Sequence, residues 1–386
     1  MSNLKVNTIR HTGASSDNIT LASDGTATAK ITNLPPGNRN LVINGGMRVA
    51  QRSTSSTSGD YSSIDRWKFR RENISAGTCT QSQQSLSSSD SPWNDGHKNF
   101  ARLALGQAGT AASNSEVSIE TRLEAQNIAC SGWDFKNASS KVTLSFWMRA
   151  STNQTFQLYI YDADGGYKYP VTFTASGNNA WTKKTITIPG NSNLNFADDN
   201  GHGLQLKFIM FFGTGYTNNA SNETWASYSG TNFVADMAST WLTAGASTFD
   251  LTGVQLEVGD AATDYEHRSY GDELARCQRY YLKDTLTQWG SIQTGLFSNA
   301  TTVRGTIGRF PVTMRAKPTV TFNELIADNE QAASTAVSSV ADNYLNANGG
   351  GLNWTISSHS AGDQGEPCGI LAGHATDSWI AFSAEL

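Results

Sequence analysis

The densest acidic run in the chain is FADDNGHG, where Asp198 and Asp199 are adjacent, followed by YDADGG, with Asp162 and Asp164 two residues apart. Glycoside hydrolysis needs two carboxylates facing across a substrate, one holding its proton and the other ionised. Adjacent acids in Asn- and Gly-rich runs serve turns before anything else, because Asp and Asn side chains bond their own backbone. Calcium, which accepts clustered oxygen ligands on flexible loops, is the second reading and catalysis the third. The six histidines, His11, His97, His202, His267, His359 and His374, are dispersed. No G-x-S-x-G, H-E-x-x-H, P-loop or dinucleotide fingerprint is present. The expectation is a non-enzymatic protein with no catalytic residue, no metal site and no cofactor, with calcium left open.

Aromatic residues in polar loops carry the stronger signal. Sugar rings pack their C–H faces on Trp and Tyr while neighbouring Asn, Asp and Gln bond the hydroxyls. Three stretches have this character: DGGYKYP with Tyr167 and Tyr169, GTGYTNNASNETWASYSGTNF with Tyr216, Trp225 and Tyr228, and SPWNDGH with Trp93. The competing reading is that each ring fills a gap beneath a loop. Tyr167, Tyr169, Tyr216, Trp225 and Tyr228 form the candidate glycan-binding set, the 216–233 stretch leading because long polar loops on rigid sandwiches tend to bind.

The elements that would hold these loops are strands. Only 16% of the residues are charged and 38% are hydrophobic, which suits a mainly β chain of strands and polar turns. Val142, Leu144, Phe146 and Met148 alternate with Thr143, Ser145, Trp147 and Arg149. The device recurs in Phe156, Leu158 and Ile160, in Ile186 and Ile188, and in Leu204, Leu206, Phe208, Met210 and Phe212. Asp164-Gly165-Gly166 and Gly177-Asn178-Asn179 have hairpin chemistry. Leu41, Val42 and Ile43 read as a strand-like run before the turn Asn44-Gly45-Gly46. Together these predict an antiparallel jelly-roll sandwich over residues 40–268.

Residues 1–39 have too few apolar positions for a core of their own, and Pro35-Pro36-Gly37 closes them off. Ser269-Tyr-Gly-Asp272 matches a capping box ahead of a short helix running toward Leu282, which makes 269–284 a helical junction. Strand patterns at Gly305–Arg315, Pro318–Phe322, Trp354–Ser357 and Trp379–Ser383, with an ambiguous stretch from Ala332 to Asn346, predict a smaller C-terminal β-sandwich tip over 285–386. The net charge of −5, without a Lys/Arg cluster, argues against nucleic acid as a partner. Cys79, Cys130, Cys277 and Cys368 lack metal or redox spacing and read as free thiols. MSNLKVNTIRHTG has no apolar core and no eighteen-residue apolar run occurs, so neither a signal peptide nor a membrane span is expected.

NLVINGGMRVAQRS followed by SSIDRWKF resembles the start of the middle module of bacteriophage tail fibre and tail-spike-like proteins. KVTLSFWMRAS, WTKKTITIPG and FDLTGVQLEVGDAATDYEHRSYGDELARCQRYY are similar to the strands and exit of that family's carbohydrate-binding-module-like jelly roll. FPVTMRAKPTVTF resembles the opening strands of the distal tip, and Val6–Ala29 resembles segments that attach fibres to the virion. The resemblance covers nearly the whole chain. It implies a homotrimer located in the virion tail fibre and made in the host cytoplasm. It also implies attachment to other phage tail or baseplate proteins through the N-terminus, and host adsorption by binding a bacterial surface glycan or outer-membrane receptor. Polysaccharide depolymerase and a structural tail adaptor without receptor binding are the alternatives. No binding residue carries over from the family, since no motif fixes one.

Overall fold

The computed structural model describes residues 6–9, 12, 19–21, 23, 27–29 and 38–386, except 76–77, 219, 331–332, 358, 360–362 and 374–376. The N-terminal expectations therefore fall largely outside the described residues, as do His11 and His374. Contacts divide the chain into two compact units, Met1–Arg39 and Asn40–Leu386. The first contains a three-stranded antiparallel sheet of Thr8–Ile9, Ile19–Leu21 and Ala27–Ala29, in which Ile9 and Leu21 are exposed.

The second unit is mainly β. Two six-stranded antiparallel sheets face each other. The first runs Ala226–Ser227, Tyr167–Ser176, Asn153–Asp162, His202–Phe212, Glu116–Glu124 and Lys68–Glu72; the second runs Thr182–Pro189, Lys141–Ala150, Thr248–Val258, Asn99–Leu105, Cys79–Ser85 and Ser55–Ser56. The predicted alternation lies where expected. Leu144, Phe146, Met148, Phe156, Leu158, Leu206 and Phe208 are buried between the sheets. Phe146 meets Phe208 and Phe173 edge to face, with centroids 5.0 and 5.4 Å apart, the arrangement ring quadrupoles prefer.

Five local expectations change, one of them being that the strand expected over Gly305–Arg315 ends at Arg309. Phe212, expected in line with Met210, faces the other side, because a register shift between Ile209 and Phe211 turns Phe211 inward and Phe212 outward. One extra residue in a strand exchanges its two faces. Gly177-Asn178-Asn179 is a turn, with Gly177 and Asn179 at positive φ, but it carries the chain from the first sheet to the second instead of closing a hairpin. Leu41–Ile43 is not a strand. The helix covers Tyr270–Gln278 and stops there, so that Tyr281 and Leu282 enter the strand Tyr281–Thr285. Its start is capped as expected: Ser269 Oγ accepts from the Asp272 amide at 3.1 Å.

The Asn40–Gly46 segment instead plugs a bulge in a central strand. Thr248–Val258 loses register between Thr252 and Gln255, and there the Val254 amide donates to Gly45 O at 3.0 Å while Leu41 N donates to Leu256 O at 2.9 Å. A Cβ on Gly45 would stand 2.0 Å from Val254 O, so only glycine fits. Asn44, at φ 56°, is a fully buried hub. Its Nδ2 donates to Val49 O and Asp65 O, both at 2.8 Å, and its Oδ1 accepts from the Arg48 and Val49 amides.

The C-terminal region is β, as expected, but a closed six-stranded barrel in place of the expected sandwich, Ser291–Asn299, Thr302–Arg309, Gly349–Ile356, Thr335–Asn346, Leu325–Asp328 and Pro367–Ala372, because Ser291–Asn299 pairs with both the second and the last of these strands and leaves no open edge. A three-stranded sheet of Tyr281–Thr285, Trp379–Ser383 and Thr319–Asn323 flanks it. Trp354, Phe297, Leu352 and Ile370 fill its core. The ambiguous 332–346 stretch thus contains the long strand Thr335–Asn346. All four cysteines are free thiols.

The barrel is bound to the jelly roll through buried charges. The Arg66 guanidinium, 1% exposed, pairs with Glu385, donates to Arg122 O at 2.5 Å and lies 3.4 Å over the Tyr280 ring. Glu124 accepts from Arg279 Nε at 2.7 Å and from Tyr280 Oη at 2.5 Å. Arg52 reaches Glu385 at 3.1 Å and stacks on Tyr281. The RCQRYY residues therefore join the two domains.

Candidate functional site

On the outer face of the first sheet, residues that alternate with the core positions line up as Tyr159 and Tyr161 on one strand, Gln205, Lys207 and Ile209 on the next, and Glu116, Ser118, Glu120 and Arg122 beyond. Tyr216, Phe233, Val234 and Met237 from the long loop after Phe212 pack on this face and give a second small core of Tyr159, Ile209, Phe212 and Val234, with Tyr161, Tyr216, Phe233 and Met237 against it. Tyr159 and Tyr161 stack at 5.6 Å and 19°, Tyr228 lies 5.4 Å from Tyr161, and Phe233 is edge-on to both Tyr216 and Tyr228. Tyr228 is 46% exposed.

The face also holds polar groups without partners. Among the described residues, Tyr159 Oη, Gln157 Oε1 and His202 Nε2 are buried and make no hydrogen bond. His202, whose ring is 6.3 Å from Tyr161, has its pKa lowered to about 4 by burial and then by the Arg122 charge. It is therefore a neutral imidazole at pH 7. On the same sheet, Lys207 bridges Glu116 at 2.9 Å and Glu120 at 3.0 Å, and Arg122 pairs with Glu120 at 2.9 Å. Lys207 and Arg122 hold the Glu120 carboxyl below its usual range despite burial.

The five sequence candidates divide. Tyr216 and Tyr228 belong to this aromatic face. Tyr169, 4% exposed, and Trp225, 9% exposed, are core residues: the two rings meet at 5.1 Å, and Trp225 Nε1 donates to Pro189 O at 2.7 Å. A ring covered on both sides has no face for a sugar, which removes both from the set. Tyr167 is half-buried against the same core. Tyr161 and His202 were missed, although the signal for Tyr161 was present in FQLYIYD, where Tyr159 and Tyr161 alternate with Leu158 and Ile160.

The acidic runs are turn formers. Asp162 Oδ1 accepts from the Gly165 amide and its Oδ2 from Asn195 N, both at 2.9 Å; Asp164 Oδ2 accepts from Ala197 N at 2.9 Å, and Asp199 Oδ1 from Gly201 N at 2.8 Å. Among the described residues no group of three or more His, Cys, Asp or Glu is placed to hold a metal ion.

No family model matches the chain, and no curated protein matches it. Solved structures that align with it include the enzymatically active domain of bacteriophage CBA120 tailspike protein 4, at 9% identity and TM-score 0.30, covering 57% of this chain and 22% of that one. TmCBM61 in complex with β-1,4-galactotriose aligns at 10% identity and TM-score 0.29, over 57% and 99%. A family 11 carbohydrate-binding module of a cellulosomal cellulase of Clostridium thermocellum aligns at 12% identity and TM-score 0.26, over 56% and 98%.

Proposed function

We propose that this chain is a phage receptor-binding tail fibre that adsorbs to bacteria by holding a surface glycan on the outer face of its first sheet, without cleaving it. The carrying observation is the cluster of Tyr161, Tyr216 and Tyr228, clamped by a long loop onto a rigid sheet, with Tyr228 open to solvent and unpartnered polar atoms beside it. Rings supply faces for sugar C–H groups, and Tyr228 presents the most open of them. The sequence likeness to phage fibres supplies the biological setting: a virion protein anchored by residues 1–39 to other tail or baseplate proteins. The exposed Ile9 and Leu21 of the small N-terminal sheet favour a homotrimer in which three copies cover one another's apolar residues. Three chains per fibre then let weak sites act together, so avidity replaces affinity.

Binding is favoured over hydrolysis because a glycosidase needs one carboxyl held protonated. Glu116 and Glu120 are instead bridged by Lys207, Asp164 and Asp199 hold turns, and Asp162, whose pKa burial raises, has its two oxygens taken by the Gly165 and Asn195 amides. A depolymerase would release reducing ends from a host polysaccharide and lose that release in Asp198→Asn.

A second reading places the receptor on the barrel, where Trp289, Leu296 and Tyr344 are 58%, 52% and 57% exposed. Immobilised bacterial envelope polysaccharides probed with the full chain separate the two. The sheet-face reading expects binding that survives Trp289→Ala/Tyr344→Ala, while loss in that variant transfers the site to the barrel. Absence of binding to any envelope polysaccharide favours a tail adaptor without receptor contact. Point variants are preferable to truncation after Tyr281, which removes Glu385 and leaves Arg66 unpaired in the jelly roll.

A further inference from the structure

A cleft elsewhere on the jelly roll is formed where the two most distinctive sequence stretches meet. It is lined by Arg48 from the opening loop, by His97 and Lys98, and by Tyr265, His267, Arg268 and Glu273 from the stretch leading into the helix. The three rings form its wall: His97 lies 4.5 Å from Tyr265 and 5.3 Å from His267, and Tyr265 lies 4.9 Å from His267. The third aromatic stretch, SPWNDGH, reaches this rim, where Lys98 Nζ sits 3.2 Å over the Trp93 ring.

The charges of the cleft are unbalanced. Arg48 and Lys98 are exposed, and among the described residues neither pairs with a carboxylate. Arg268 is shared between Glu266 at 3.2 Å and Glu273 at 3.6 Å, and its buried Nε has no acceptor among the described residues. Glu273 is the one acid of the lining and already accepts from the Asn44 amide at 2.5 Å. With Arg268 held by its two acids, Arg48 and Lys98 are left as two cations without a carboxylate partner, in a chain whose net charge is −5.

We infer that this cleft binds an anionic group of a bacterial surface polymer, a carboxylate or phosphate held between Arg48 and Lys98 with the Tyr265 and His267 rings beneath it. A guanidinium offers a carboxylate or phosphate two parallel donors, and a lysine adds a point charge. The polymer as the source of the anion rests on the proposed adsorption function; binding of the anion itself does not. It would add charge selectivity to the neutral stacking of the sheet face, on which the cleft residues do not lie.

Isothermal titration calorimetry of the full chain with glucuronic acid, inorganic phosphate and glucose tests this. Glucuronic acid binding without phosphate identifies a uronic-acid polymer, phosphate without glucuronic acid a phosphate-bearing one. In either case Arg48→Gln/Lys98→Gln weakens binding at least tenfold, and sodium chloride weakens it in the wild type. Both substituted side chains are exposed, and an unchanged unfolding midpoint shows that the variant remains folded. No heat from either anion, equal binding of glucose, or an undiminished variant overturns the inference. Because the probes are small and need no contact with the sheet face, failure of adsorption through Tyr161 and Tyr228 leaves this result standing, and the reverse holds too.

Discussion

At the residue scale, Asn44 shows how one side chain can fix a fold's entry. Its four side-chain hydrogen bonds, three of them fully buried, and its left-handed backbone leave no equivalent substitute. Asn44→Ala is expected to cost about 3–5 kcal/mol in denaturant unfolding, since the partners remain buried and unpaired; a loss under about 1 kcal/mol would show that water replaces them. His202 gives a pH signature. Its folded pKa, about 4, lies below the unfolded value of 6.5, so the unfolded chain binds more protons between these values. Its contribution to stability is complete above pH 6.5 and is lost as pH falls toward 4, roughly 3 kcal/mol at about 1.36 kcal/mol per pH unit. His202→Gln should flatten unfolding free energy against pH in that window. Asp65 acts in the opposite sense: burial raises it to about 6, so its contribution to stability is complete below pH 3.8 and lost as pH rises through 6. Asp65→Asn should therefore remove a loss of stability between about pH 4 and 6.

At the element scale, the regular strands were legible because one face is buried and alternation has period two. Lys141–Ala150 and Trp379–Ser383 read directly from that pattern. What escaped was whatever tertiary hydrogen bonding decides. Leu41–Ile43 has strand composition, but the bulge at Val254 recruits it as a plug, and Phe212 changes face because of one extra residue two positions earlier. The rings of the site were legible as types and not as a group: Tyr169 and Trp225 carry the same local composition as Tyr228, and only the sheet decides which is covered. The charged junction was invisible, because Arg66 and Glu385 are 319 residues apart. Glu385→Ala leaves the Arg66 guanidinium buried against Tyr280 without its partner, and breaking such a pair costs about 3–5 kcal/mol. The expected outcome is a single calorimetric transition in the wild type that separates into two in Glu385→Ala, with Arg66→Met/Glu385→Met partly restoring it. One unaltered transition in the single variant would mean the junction contributes little.

At the scale of the whole molecule, the jelly roll and barrel form one compact unit, stabilised across their junction by charge pairs and ring stacking. Light scattering of the full chain should give three times 41.5 kDa, and a chain beginning at Asn40 a lower oligomer; a monomeric full chain would remove the trimer and its avidity. The central claim is adsorption through the first sheet's aromatic face. The measurement that tests it most directly is the binding of full-length wild type and Tyr161→Ala/Tyr228→Ala to susceptible bacteria at equal protein concentration, with unfolding midpoints matched. Loss of the two rings, at about 1 kcal/mol each, predicts a roughly 30-fold weaker affinity per site. Equal adsorption by the two proteins would contradict the account.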